Sequence, residues 1–151
     1  VSLVDEPGFL IGPEAEKEGT ILHGTQAVLA CTESTVPWTT VMIRKSFGVA
    51  AAAHYGPDGY VLAWPSSESG PLPLEGGVAV AFKKEIAAAK DPEAKRKELE
   101  SKMAKNQNPF PRAEAFSVHE IIDPRETRKY ISLWAERIQH QLKASLIKRD
   151  S

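Results

Sequence analysis

Residues 39–54, TTVMIRKSFGVAAAAH, constrain the fold more tightly than any other stretch of the chain. Val41, Met42 and Ile43 follow two threonines as a β-prone apolar run without clean alternation, which suits a strand in a sheet covered on both faces. Arg44 and Lys45 end that run, and Gly48 opens five residues, Val49 to Ala53, with little side chain to offer. The pattern reads as a strand that turns at a glycine into a closely packed helix. Whatever chemistry this segment carries must then come from the main chain.

The same alternation of elements repeats along the chain. Residues 1–4 are β-prone and stop at the turn residues Asp5-Glu6-Pro7-Gly8. A loop through GFLIGPEAEKEG leads to the helical pattern TQAVLACTES, with apolar residues at 27, 28, 30 and 31 and Pro37 as its stop. After the small-residue helix, GYVLAWP predicts a third strand closed by Pro65, SSESGPLPLEGG a loop, and VAVAFKKEIAAA another helix. Strand and helix in alternation predict an α/β fold with parallel pairing. Residues 90–107 turn to Lys, Glu, Asp and Ala, with Glu98 and Lys102 spaced i,i+4, and predict a charged, solvated helical excursion broken by NPFP. A short apolar segment and a proline-started helix follow, the helix carrying Tyr130, Ile131, Leu133, Trp134 and Ile138 on one face. Residues 1–140 read as one domain and 141–151 as a charged tail.

A formal net charge of −1 over 151 residues excludes a global pull toward nucleic acid or anionic membrane. No run approaches the roughly 20 apolar residues of a membrane span. Cys31 is the single cysteine and reads as a small buried apolar group in a reducing compartment, the cytoplasm or the mitochondrial matrix. His23, His54, His119 and His140 show no metal-ligand spacing with one another or with Cys31, so no metal is expected.

Two readings fit the small-residue helix. The first turn of a helix leaves N–H groups without internal partners and carries partial positive charge, so the amides of Val49 and Ala50 beyond Gly48 describe an oxyanion hole. Close packing of a helix on a sheet explains Gly and Ala equally well. Arg44 and Lys45 could pair with a phosphate or carboxylate, or could be strand-end charges reaching solvent. A Ser46 nucleophile, with His54 or His23 as base and Asp5 or Asp58 as orienter, is a third arrangement, but RKSFG lacks the first glycine of G-x-S-x-G.

Five stretches in order, LVDEPGFLIGPEAEKEGTILHG, VPWTTVMIRKSFGVAAAA, LAWPSSESGPLPLEGGVAVAF, NPF and IIDPRETRKYI, resemble the C-terminal half of the carboxyltransferase (β) subunit of biotin-dependent acyl-CoA carboxylases, of the propionyl-CoA carboxylase β type. The resemblance spans about residues 2–140. It implies a crotonase-like (ClpP/crotonase) superhelix of ββα units, of which this chain is a partial C-terminal carboxyltransferase domain. It implies that a carboxyl group moves between carboxybiotin and an acyl-CoA, with backbone amides holding the ureido oxygen and no side chain acting as base. The family pattern R-K-A-Y-G-G-A falls on Arg44 to Ala50, so the biotin donors fall on the Val49 and Ala50 amides. Phe47, Gly48, Arg44 and Lys45 would line the biotin site, and Ala52 stands where the family tunes acyl choice. Val49 replaces the second glycine of the pattern, Pro73 in LPLEGG removes an amide, and HGTQ stands for H-G-A-K.

The resulting expectation is the biotin-side half of an acyl-CoA carboxyltransferase. Its implied partners are a biotin carboxyl carrier protein, a biotin carboxylase, an N-terminal acyl-CoA-binding half and further copies in an oligomer. By itself the chain would have no turnover. The alternative is a non-catalytic crotonase-like domain for assembly or carrier docking.

Overall fold

The sheet is built around β2 (Thr39–Phe47), whose buried residues Thr39 to Met42 and Ser46 to Phe47 leave only its middle open. The computed structural model describes residues 1–57 and 59–149, with the backbone alone at Glu75 and over 144–149. β1 (Ser2–Glu6) flanks β2 on one side; β3 (Tyr60–Ala63) takes the first half of its other side and β4 (Glu68–Gly70) the second half. β5 (Glu120–Ile121) adds beyond β3, and every pairing is parallel.

Successive residues of a strand face opposite sides, and here both sides are filled. Met42 packs with Val61, Ala63 and Val118, backed by Tyr55, Ala113 and Ile121. Val41 packs with Leu62 and Ile122, backed by Trp64, Tyr130 and Ile131. The second layer is anchored by α8 (Thr127–Arg149), which supplies Tyr130 and Ile131 and whose Thr127 Oγ1 accepts the Trp64 indole N–H at 2.9 Å. The parallel α/β architecture expected of the sequence is therefore present, covered on both faces.

Several elements depart from the sequence reading. α1 (Pro13–Lys17) forms inside the expected loop because Pro13 starts it and acidic residues fill its first turn. α2 (Thr20–Thr32) begins before TQAVLACTES, entered through Gly19 at φ 73°, and ends five residues ahead of Pro37. α3 (Gly48–Ala52) is as expected. β4 lies within the expected 66–77 loop. The helix expected from Val78 starts earlier as α4 (Leu74–Ala81) and breaks at Phe82 before α5 (Lys83–Ala88). α6 (Pro92–Gln107) is charged as expected but is not wholly solvated, since Leu99 and Gln107 are buried. α7 (Pro109–Glu114) follows Asn108, whose side chain caps it. The expected tail is helical through Arg149, and Asp150 and Ser151 lie outside the described residues. Cys31 is buried and its thiol donates to the Tyr55 carbonyl at 3.0 Å.

Candidate active site

The end of β2 is bent by an irregularity in its pairing with β1. Val4 faces Met42 and Glu6 faces Ser46, so the single residue Asp5 spans three, Ile43 to Lys45. Such a bulge breaks the ladder and re-aims the strand beyond it. The Asp5 carboxylate fills the gap, accepting the Lys45 N–H at 3.2 Å and the Arg44 guanidinium, with Nε 3.0 Å from both oxygens. The Arg44 guanidinium beside it holds the Asp5 carboxyl below its ordinary value. Arg44 therefore serves Asp5, with its side chain still 67% exposed.

Beyond the bend, Phe47 is extended and buried, and Gly48 adopts φ 64°, a left-handed turn that a β-carbon resists. α3 starts at once. Its early N–H groups, those of Val49 and Ala50 among them, precede the first i→i−4 bond of the helix. Ala50 is buried, whereas Val49 is 64% exposed. Ala52 is exposed on the following turn.

A loop from β4 forms the facing wall. A β-carbon on Gly48 would lie 3.4 Å from the Pro71 carbonyl oxygen. Pro73 and Leu74 close a cavity of about 140 Å³ with Lys45, Phe47 and Glu68. Two larger hollows, about 420 and 310 Å³, are lined by residues of α4 to α6 and Phe82 and hold none of the expected site residues. Pro73 is the N-cap of α4, so the second helix of the site presents no N–H there, and Gly76 at φ 85° distorts its first turn.

The serine arrangement is not assembled. Ser46 is buried and shares a 2.7 Å hydrogen bond with the Tyr55 hydroxyl, whose ionisation burial pushes up. His54 instead meets Ser2 Oγ at 3.2 Å and Glu6 Oε2 at 3.9 Å, and Asp5 is engaged by Arg44. His23 is exposed on α2, and Asp58 lies outside the described residues. Among the described residues no group of three or more His, Cys, Asp or Glu could hold a metal ion, and no helix is long and apolar enough to cross a membrane.

The glycine turn into α3 was legible in the sequence, whereas Asp5 as the partner of Arg44, and Gln107 near the same strand end, were not. Asp5 carried a signal only as a turn residue. Gln107 carried none, standing at the end of a Lys/Glu-rich helix.

Residues 1–150 match the family model described as the carboxyl transferase domain. Over 136 residues the chain is 41% identical to the methylmalonyl-CoA carboxyltransferase 12S subunit of Propionibacterium freudenreichii subsp. shermanii, covering 87% of this chain and 26% of that protein. It is 39% identical over 133 residues to the propionyl-CoA carboxylase carboxyltransferase subunit of Haloferax mediterranei, covering 85% and 26%. The crystal structure of transcarboxylase 12S, a hexamer assembly with methylmalonyl-coenzyme A and methylmalonic acid bound, superposes with a TM-score of 0.79 at 40% identity, over 91% of this chain and 27% of that one. The chain thus spans about a quarter of the length of these relatives. The shared fold is crotonase-like.

Proposed function

We propose, because the chain belongs to the carboxyl transferase domain family, that it forms the biotin-side half of an acyl-CoA carboxyltransferase site. The observation that carries this reading is the turn at Gly48, which places Val49 and Ala50 in the first turn of α3 at the end of the central strand. The arrangement fits a cyclic urea. The approach has no β-carbon at Gly48, and Val49 is exposed rather than packed into the fold.

Biotin on its carrier, when bound, supplies the carboxyl group to be moved. The protein's part is to place the Val49 and Ala50 N–H groups against the ligand's carbonyl oxygen and stabilise negative charge there, as preorganised donors do in an oxyanion hole. Phe47 acts from below as the buried extended residue that sets the turn, and Lys45 stands at the cavity wall. Arg44 is engaged by Asp5, and the first-turn N–H groups of α3 add partial positive charge to that of Lys45. The acyl-CoA is held by a second half outside these residues, next to the exposed Ala52. The partners of the reading are that half, a biotin carboxyl carrier protein, its biotin carboxylase and further copies of the chain. Exposed Leu10 and Ile11 in the β1–α1 loop, and Ile21, Leu22 and Leu29 on α2, are apolar side chains that such neighbours would cover.

Titration of the 15N-labelled chain with free biotin tests the reading. Saturable shifts concentrated at Val49 and Ala50 support it. Silence there, with binding of a biotinylated carrier elsewhere, overturns it in favour of a docking domain in which Pro73 has spoiled the site.

A further inference from the structure

Gln107 stands at the last position of α6 and is only 4% exposed, although most of the helix before it is Lys, Glu and other polar residues. Its side-chain amide donates from Nε2 to the Leu72 carbonyl at 2.8 Å. It also packs on the edge of β4: a β-carbon built on Gly70 would lie 3.6 Å from Gln107 Nε2 and 3.6 Å from the Phe47 ring. One buried amide therefore touches the strand beside β2 and the loop that faces Gly48. That loop is short. Pro71 lies against Gly48, Leu72 receives Gln107, and Pro73 walls the cavity shared with Lys45 and Phe47. Neither proline can donate a hydrogen bond that would hold the loop from within. The Gln107 Oε1 atom is buried without a hydrogen-bond partner, as are the Ser67 and Ser69 hydroxyls. A buried amide oxygen without a partner is costly, which a leucine at this position would not incur.

We propose that Gln107 is a positioning residue for the Val49 and Ala50 amides: by holding Leu72 it fixes the 71–73 loop against Gly48 and so sets the direction of the first turn of α3. The inference rests on the proposed role of those amides, but its first readout does not need biotin. The charged helix α6 is thereby the support of the site rather than an ornament on the surface.

The test uses the 15N-labelled chain without ligand, comparing Gln107→Leu and Gln107→Glu with the unaltered protein. Gln107→Leu keeps much of the volume and removes the donor; the Val49 and Ala50 resonances are expected to move together with those of Leu72 and Leu74. Gln107→Glu is the sharper variant. Ionised, its carboxylate opposes the Leu72 carbonyl; protonated, it can donate to it. The Val49 and Ala50 resonances of this variant should depart from the parent at neutral pH and return toward it as the pH falls, a pH profile that packing alone would not produce. Should Gln107→Leu not fold, the Gln107→Glu series decides by itself. Resonances of Val49 and Ala50 that match the parent in both variants at every pH overturn the proposal. Added biotin then separates the two readings: parent shifts at Val49 and Ala50, weakened about tenfold in Gln107→Leu as for one lost buried hydrogen bond, support both. If the ligand-free resonances respond to Gln107 while biotin leaves them still, the positioning stands and the biotin role falls.

Discussion

The Arg44 guanidinium forks onto the Asp5 carboxylate, with Nη2 2.9 Å from Oδ2, across the bulge that bends the end of β2. Because the Asp5 carboxyl is lowered from 3.8 in the folded chain, chiefly by Arg44, its contribution is fully present above that unfolded value and is lost as pH falls through the folded one. The pair is half in solvent, so Asp5→Asn should cost at most about 0.5 kcal/mol at pH 7. Urea midpoints at pH 7 and pH 3 check this: the difference between parent and variant should be smaller at the second.

Gly48→Ala places a β-carbon at φ 64° and 3.4 Å from the Pro71 oxygen. The left-handed penalty alone is about 1–2 kcal/mol, so the thermal midpoint should drop. The amides of Val49 and Ala50 should shift even in the molecules that stay folded, and biotin-induced shifts should shrink.

Val49→Gly and Val49→Pro divide the side chain from the amide. The valine side chain is 64% exposed, so the glycine variant should keep its biotin response and lose up to about 1 kcal/mol of stability. Proline removes the N–H, and its biotin affinity should fall about tenfold if that donor matters. Equal affinities in the two variants would count against the amide pair.

Ser46→Ala leaves the Tyr55 hydroxyl without its 2.7 Å partner in a half-buried position. A loss of about 1–3 kcal/mol is expected in chemical denaturation, with no effect on biotin-induced shifts. A fluorophosphonate probe should fail to label the parent, and labelling at Ser46 would revive a nucleophilic role.

Gly24 lies where any β-carbon would sit 2.2 Å from the Phe9 ring. Gly24→Ala should therefore push the partly exposed Phe9 ring aside and destabilise by no more than about 1 kcal/mol, the low end of overpacking costs, despite the better helix propensity of alanine. A stabilised variant would show that Phe9 leaves this position in solution.

How much of this was legible depended on range. β1, β2 and β3 were readable because β-branched, apolar runs bury themselves whatever their neighbours. β4 was not: Glu68-Ser69-Gly70 has no apolar pattern and is a strand only because the second half of β2 offers it a ladder. Proline and acidic residues could have revealed α1, but five residues give little periodicity. The turn into α3 was visible since a glycine leading into alanines after a strand is a local signal. Asp5 with Arg44, and Gln107 with Leu72, join residues far apart in sequence, and neither local composition nor spacing records such a meeting.

No two neighbouring strands of this sheet are joined by a hairpin: Ser2 pairs with Thr40, and Leu62 with Glu120. Parallel ladders of that kind close only after long stretches of chain have been synthesised and brought back. The bulge and the turn that shape the candidate site therefore form late, and an unfinished chain would leave the two-sided apolar face of β2 open to whatever strand it met first.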